Sequence, residues 1–208
     1  MVKYLVDPVF GEDYNEGYVF FSHRTDGFYA KGITLFTGDG ESGIPITHCG
    51  IITGNGTCIE AKIGKCISEV DFDEEYLQQE NCTVVIRKPL RWSPDRSKAS
   101  IAAARESLGL AYSTGGVIGL ILQKIFTFGY AWFPSLKYQK NPFNSNQSMF
   151  CSELVSDAMK PSYGPDGVLQ YHPSNIEPQE LFECPILWKE WNYDIVAEKV
   201  EEGKRIAD

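Results

Sequence analysis

Short β-rich runs fill the first half of the chain, and each run is bounded by Gly, Asp, Asn or Pro turn signals. Helix-forming stretches follow mainly in the second half, so strands and helices do not alternate in the regular way that builds a parallel sheet. This order predicts an α+β fold with an antiparallel sheet. The β-rich runs are GYVFF (17–21), ITLFT (33–37), ITHCGIIT (46–53), TCIEA (57–61) and CTVVIRKP (82–89).

Length and charge limit the class of protein. The 208 residues fit one domain over 1–208 that can bury a sizeable core. With 19 basic and 28 acidic residues the net charge is -9, which disfavours a nucleic-acid partner and anchoring to anionic lipid by charge. The sequence starts without a basic region followed by an apolar run, so we expect no signal peptide and a cytoplasmic location.

The cysteines are predicted to be reduced thiols, as is usual in the cytoplasm. None of the six cysteines forms a CxxC pair, and the three histidines complete no zinc-ligand spacing. We therefore expect neither a metal ion nor another cofactor.

Two helices are predicted from their capping signals. One begins after Ser93, an N-cap candidate followed by Pro94, and ends before Gly109. The other is capped by Ser148 and is stopped by Pro161.

The most apolar segment runs from Gly115 to Phe133. Gln123 and Lys124 interrupt it near the middle and four glycines weaken it as a helix, which argues against a transmembrane span. We expect a buried helix or a substrate-covering loop, with lipid contact at a membrane surface as the alternative. The surrounding stretch 111–147 is long, aromatic and irregular, as lids and binding loops often are.

A cysteine and a histidine form the candidate site. Cys151 starts the second helix, in SMFCSELVSDAM, where the helix dipole and unpaired amides favour a thiolate. His48 lies upstream in a predicted strand, and its imidazole is a candidate base for that thiol. The alternatives are that Cys151 is a buried core residue and His48 a structural histidine.

Strand parity suggests Glu60 as a third group. If Gly54-Asn55-Gly56 is a three-residue turn, Gly50 pairs with Glu60, which then lies diagonal to His48 on the same face. A two-residue Asn55-Gly56 turn would send Glu60 to the opposite face, leaving the proposed triad incomplete. A carboxylate beside the imidazole would fix its tautomer and favour its charged form, whereas the alternative is a solvated strand carboxylate.

The other two histidines are weaker candidates. His172, in QYHPSNIEP, follows the Cys151 helix closely and is the rival base. His23, in FFSHRTDG, is predicted to lie in a surface loop.

Three strings, THCGIITGNGTCIEA, FCSELVSDAM and PSNIEPQELFECP, resemble the permuted NlpC superfamily of papain-like cysteine hydrolases, especially its YiiX-like branch. The resemblance covers about 17–185 and leaves 186–208 as a C-terminal extension. It implies a circularly permuted papain-like fold: an antiparallel sheet or barrel packed against helices, with the catalytic cysteine at a helix N-terminus. The order histidine, acidic residue, cysteine is that of the permuted branch.

The resemblance also implies residue roles. Cys151 is the expected nucleophile, His48 the base and Glu60 the orienting residue. Tyr112, in GLAYSTGG, sits where relatives often carry a G-x-x-Y-like element near the pocket, and it is predicted with Ser152 as a substrate-binding residue. The alternative for Tyr112 is a packed core tyrosine.

The resemblance implies a cysteine peptidase or amidase that acts through a thioester acyl-enzyme on a small peptide, amino-acid amide or acyl-amide. One alternative, suggested by the apolar segment 115–133, is a lipid-directed acyltransferase or thioesterase similar to the lecithin:retinol acyltransferase group. Another is a catalytically silent module that binds an amino acid or peptide.

Overall fold

The described strands form one large sheet and one two-stranded sheet. The predicted strand at 33–37 lies outside the described residues. The computed structural model describes residues 3–5, 8–24, 45–127, 132–145, 147–163, 171–185, 187–188 and 195–197. The strands are β1 (Lys3–Leu5), β2 (Val19–Arg24), β3 (His48–Gly54), β4 (Thr57–Glu60), β5 (Ser68–Asp71), β6 (Cys82–Arg87), β7 (Ala111–Tyr112), β8 (Ser148–Met149) and β9 (Ile195–Ala197).

The large sheet has the strand order β1-β9-β6-β2-β3-β4-β5. Its five neighbouring strands β6-β2-β3-β4-β5 are antiparallel, β9 is antiparallel to β6, and β1 is parallel to β9. The α+β class with a mainly antiparallel sheet is therefore confirmed. The described strands form an open sheet with ends at β1 and β5, and not the closed barrel that was one form of the prediction.

The helix predicted after Ser93 is present, and the Ser93 side chain accepts a hydrogen bond from the Arg96 amide at 3.3 Å. The helix predicted at Cys151 begins at that residue but continues past Pro161, which lies in its last turn, and ends two residues later. Ser148 does not cap this helix, because it belongs to β8. The helices are α1 (Pro94–Glu106), α2 (Thr114–Thr127), α3 (Cys151–Tyr163) and α4 (Pro178–Phe182), with a π-helical turn at Asp73–Leu77 and 3-10 turns at Pro134–Tyr138 and Pro173–Asn175.

Apolar side chains cover both faces of the sheet. Alternate residues of β3, such as Cys49 and Ile51, contact the side of the sheet on which α1, α3 and α4 pack. The opposite side carries an aromatic cluster that includes Phe20, Phe72 and Tyr76. The beginning of β3 therefore lies between the helical layer and the aromatic cluster.

The segment 115–133 contains the helix α2, but this helix is not buried as predicted. Gly116 and Gly119 form a face that the turn at 141–144 approaches closely, since a Cβ on Gly119 would lie 2.5 Å from Oδ1 of Asn141. The outer face exposes apolar side chains, among them Phe126 at 72%. Within the described residues, no helix combines the length and the apolar character needed to cross a membrane.

Candidate active site

Cys151, His48 and Glu60 lie together where three elements begin or end. Cys151 is the first residue of α3, His48 the first of β3 and Glu60 the last of β4. The His48 imidazole is hydrogen-bonded to Glu60, with 2.8 Å between Nε2 and the carboxylate Oε2, and it lies close enough to the Cys151 thiol for each of the two groups to shift the pKa of the other. Because Nε2 contacts Glu60, Nδ1 is the ring nitrogen left for the sulfur. The structure thus brings together the three residues that the sequence singled out.

A bulge in the β3–β4 hairpin places Glu60 on the face of His48. The hairpin turn is the two-residue Asn55-Gly56 turn, which the sequence argument expected to separate the two side chains. Thr53 is an extra residue in β3 and shifts the register, so Gly50 still pairs with Glu60. The pairing of Gly50 with Glu60 that the triad requires is present, but it comes from the bulge and the two-residue turn, and not from the three-residue turn on which the sequence analysis made it depend.

The contacts favour charged forms of all three groups. Burial lowers the pKa of His48, but the hydrogen bonds and charges of Cys151 and Glu60 outweigh it and raise that pKa to about 9. Burial raises the pKa of Glu60, but His48 and a second donor outweigh it and lower that pKa to about 2. The pKa of the Cys151 thiol lies well below its usual value, because hydrogen bonds from neighbouring groups outweigh burial. The geometry therefore supports a thiolate, an imidazolium and a carboxylate side by side at neutral pH.

Cys49 is a contact that the sequence argument missed. It is fully buried, and it leaves β3 on the face opposite to His48, in the cluster that also contains Cys151. A hydrogen bond from its thiol is the largest influence that lowers the pKa of Cys151, and its backbone amide adds another. Burial raises the pKa of Cys49 well above its usual value, so this thiol stays protonated and acts as a donor. Strand parity alone places Cys49 toward the core without identifying its partner.

Tyr76 is a second missed contact. It lies in the π-helical turn Asp73–Leu77 and is 2% exposed. Its hydroxyl donates to Oε2 of Glu60, the oxygen that also contacts His48. Its ring stacks on the His48 imidazole with 8° between the planes and 5.9 Å between the centroids. The acidic segment 71–81 has no strand parity or helical stripe that would have indicated this approach.

Of the two predicted substrate-binding residues, Tyr112 lies near the thiol and Ser152 is engaged elsewhere. Tyr112 pairs with Met149, just before Cys151, and its pKa is raised well above its usual value by burial and by the charge of Cys151. Ser152 is fully buried, and its hydroxyl donates to the Ile176 carbonyl at 2.6 Å. Its side chain therefore holds the chain segment before α4, and its position gives no support to a role in substrate binding.

The other two histidines have different surroundings. His172, the rival base, precedes the 3-10 turn Pro173–Asn175, and its Nδ1 accepts a hydrogen bond from the Ser174 amide. This is the capping interaction of a turn. His23 lies in β2, so its predicted position in a surface loop is wrong.

The stretch 111–147 is tied to the start of α3 through Asn144. Its Nδ2 donates to Oε1 of Glu153 at 2.6 Å, and its Oδ1 accepts from the Ser113 hydroxyl at 2.5 Å. Glu153 is 5% exposed, and its Oε2 is buried without a hydrogen-bond partner among the described residues. Burial raises the pKa of Glu153 to about 7, although a hydrogen bond from the Phe150 amide and the Asn144 contact oppose this.

Within the part of the chain that the structure describes, no group of three or more His, Cys, Asp or Glu side chains is arranged to bind a metal ion. Comparisons with models of protein families, with curated proteins and with solved structures find no match.

Proposed function

We propose that this protein is a cysteine-dependent amidase or peptidase of the permuted papain-like type. It acts on a small peptide, amino-acid amide or acyl-amide through a thioester acyl-enzyme. The observation that carries the proposal is the position of the His48 imidazole between the Cys151 thiol and the Glu60 carboxylate. A thiol with an adjacent base, and a third group that orients the base, is the arrangement that activates a nucleophile. The resemblance of the THCGI and CSELV strings to the NlpC superfamily agrees with it.

In the first half-reaction the Cys151 thiolate attacks the carbonyl carbon of the substrate. The negative charge on the oxygen of the tetrahedral intermediate is stabilised by backbone amides at the start of α3, including that of Cys151, because the first amides of a helix have no partner within the helix. The C–N bond breaks as the His48 imidazolium gives its proton to the leaving amine. The result is a thioester on Cys151 and a free amine.

In the second half-reaction neutral His48 takes a proton from a water molecule, which attacks the thioester. The C–S bond breaks, the carboxylic acid leaves, and the thiolate–imidazolium pair is restored. Glu60, with a pKa of about 2, stays ionised and holds the imidazole throughout. Cys151 is 4% exposed and the His48 side chain 19%, so the imidazole is the more accessible of the two reacting groups.

The pH dependence of alkylation tests the activated thiol. Iodoacetamide modification is followed by mass spectrometry at each cysteine, with the exposed Cys66 as an internal control. We expect Cys151 to react already at about pH 6, whereas an ordinary thiol needs a pH near its pKa of about 8.5. The variant His48→Gln should lose this early reaction while Cys66 is unchanged.

Acylation tests the chemistry itself. The protein is incubated with p-nitrophenyl acetate and amino-acid p-nitroanilides, and its intact mass is measured. We expect a mass increase of one acyl group that is absent in Cys151→Ser and retained in Cys184→Ser, which alters another buried cysteine of the same core cluster. A thiol of ordinary pKa that forms no acyl-enzyme would contradict the proposal and favour the silent binding module.

A second candidate is a lipid-directed acyltransferase or thioesterase that uses the same Cys151 chemistry. The observation that favours it is the exposed apolar surface of α2 and the segment after it, where Phe126 is 72% and Trp132 67% exposed. A groove of about 390 Å³ runs beside this surface and is lined by Leu122, Phe126, Leu136 and Phe143 together with polar residues. Exposed apolar patches often mark a ligand or membrane contact.

Phosphatidylcholine vesicles separate the two candidates. A lipid-directed enzyme should sediment with the vesicles and accept an acyl group from them on Cys151. Both effects should weaken in the double variant Phe126→Ser, Trp132→Ser. Acylation by soluble amides without any vesicle binding would support the amidase and remove the second candidate.

A further inference from the structure

We propose that Tyr76 is a positioning residue for the acyl-transfer reaction: its hydroxyl holds the Glu60 carboxylate and its ring holds the plane of the His48 imidazole. This inference rests on the proposed function, because it assigns a role within the same site. Tyr76 is 2% exposed, so it acts through Glu60 and His48 and does not touch the substrate.

The hydrogen bonds of Glu60 show why the hydroxyl matters. Oε2 accepts from both the Tyr76 hydroxyl and Nε2 of His48. Oε1 is buried and has no hydrogen-bond partner within the described residues. Without the Tyr76 hydroxyl, this nearly fully buried carboxylate would be held only by the imidazole that it is meant to orient. A hydrogen bond to an ionised carboxylate is of the stronger, charge-assisted kind.

The ring contacts show why the aromatic ring matters. The Tyr76 ring is nearly parallel to the His48 imidazole, with 8° between the planes. Phe20 packs against both rings, with centroids 4.5 Å from Tyr76 and 6.0 Å from His48, and Phe72 lies 5.8 Å from Tyr76. Gly50 permits this packing, because a Cβ there would lie 2.5 Å from the Phe20 ring. The imidazole therefore lies against a cluster of buried, packed aromatic rings.

The backbone at Tyr76 is also unusual. The turn Asp73–Leu77 is π-helical, a rare conformation that is frequent at functional sites. Burial and the neighbouring Glu60 raise the pKa of Tyr76 well above its usual value, so its hydroxyl remains a donor over the whole range in which the thiolate–imidazolium pair exists. Tyr76 thus holds the ionised carboxylate of Glu60 in the position in which it faces the imidazolium of His48.

The variant Tyr76→Phe removes the hydroxyl and keeps the ring. We expect kcat for the acyl substrate to fall roughly tenfold to a hundredfold, the range given by loss of one hydrogen bond to a charged group, with KM unchanged. The bell-shaped pH profile of kcat/KM should narrow. A less stable imidazolium lowers the pKa of His48, so activity is lost at a lower alkaline pH. It also raises the pKa of the Cys151 thiol, so activity appears only at a higher pH on the acid side. Simple loss of folded protein would lower the whole profile without moving either limb.

A double-mutant cycle tests whether Tyr76 acts through Glu60. In a Glu60→Gln background, Tyr76→Phe should add little further loss of kcat, since the carboxylate that it holds is gone. The matched control is Tyr14→Phe, which also removes a tyrosine hydroxyl from the aromatic cluster. The ring of Tyr14 packs on Phe10 and Phe72. That variant should keep the profile of the original protein.

An NMR titration of His48 needs no substrate, so it tests Tyr76 even if no acyl-enzyme forms. The His48 pKa should be lower in Tyr76→Phe, and an unchanged His48 pKa overturns the inference while leaving the acyl-enzyme proposal intact. If Tyr76→Phe does not fold, fluorotyrosine at position 76 changes the acidity of the hydroxyl and keeps the ring. A His48 pKa that does not respond to fluorotyrosine likewise overturns the inference.

Discussion

Oε2 of Glu60 lies 2.8 Å from Nε2 of His48, although the two-residue turn of their hairpin would by itself place the side chains on opposite faces. The extra residue Thr53 restores the register. Its hydroxyl donates to Oε1 of Glu69 at 2.6 Å and lies 3.0 Å from the Thr57 hydroxyl. The contact between acid and imidazole thus depends on a bulge that lies outside the site.

The Thr53 hydroxyl should stabilise this bulge. Thr53→Val keeps the branched shape and removes the hydroxyl, so we expect the free energy of unfolding to fall by about 1 kcal/mol, the usual net value of one hydrogen bond. Urea unfolding at neutral pH measures the change. Stability equal to that of the unaltered protein would show that the bulge is held by the strand pairing alone.

The pair Glu60–His48 should stabilise the protein over a limited pH range. The pKa of folded Glu60 is about 2, below its ordinary 4.5, so its contribution is present above about pH 4.5 and is lost as the pH falls toward 2. The pKa of folded His48 is about 9, above its ordinary 6.5, so its contribution is complete below about pH 6.5 and is lost as the pH rises through 9. The two contributions therefore overlap most fully between about pH 4.5 and 6.5.

Urea unfolding across this pH range measures the effect. Glu60→Gln removes the low-pKa carboxyl, so its free energy of unfolding should fall less steeply below about pH 4.5 than that of the unaltered protein. It should also lower the His48 pKa and move the alkaline decline to lower pH. Equal pH dependence in both proteins would mean that the pair is not formed in solution.

Signals within short stretches of sequence, such as helix caps and apolar stripes, correctly predicted where two of the helices begin. Ser93 caps a helix because its side chain reaches an amide three residues on, and Cys151 starts a helix where the apolar stripe begins. The pairing of Gly50 with Glu60 was also predicted, but through the wrong turn. A bulge shifts the alternation of a strand by one residue, but β3 is buried on both faces and so shows no alternation in which the shift could be seen.

The remaining parts of the site depend on tertiary packing. Cys49 meets Cys151 because α3 begins beside the first residues of β3, and Tyr76 meets Glu60 because a π-helical turn folds back over the aromatic face. Neither approach follows from the spacing of residues along the chain. The exposure of α2 was missed for a similar reason: its glycine face packs on a turn within the same stretch 111–147, which leaves its outer face open.

The Cys49 thiol should increase the reactivity of Cys151. Its hydrogen bond is the largest influence that lowers the pKa of Cys151, so Cys49→Ala should raise that pKa and slow alkylation of Cys151 at about pH 6. Loss of the buried sulfur should also cost about 1 kcal/mol of stability. The control is Cys184→Ala, which removes a buried thiol from the same cluster. An alkylation profile of Cys49→Ala that matches this control would assign the activation of Cys151 to His48 alone.

Glu153 should destabilise the folded protein at alkaline pH. Burial raises its pKa to about 7 from an ordinary 4.5, so its contribution to stability is complete below about pH 4.5 and is lost as the pH rises through 7. Glu153→Gln keeps an acceptor for the Asn144 amide and removes the buried charge. We therefore expect this variant to be more stable at about pH 8, by up to about 3 kcal/mol, and to show no gain at about pH 4.

Urea unfolding of Glu153→Gln at the two pH values measures the difference, with Glu106→Gln as the control, because Glu106 is an exposed carboxylate at the end of α1. The control should change stability by less than about 0.5 kcal/mol at either pH. A gain that is equal at both pH values would mean that Glu153 affects stability by packing and not by charge. A loss at alkaline pH would mean that the ionised carboxylate is needed, and that its contacts with the Phe150 amide and Asn144 outweigh the cost of burying it at the start of α3.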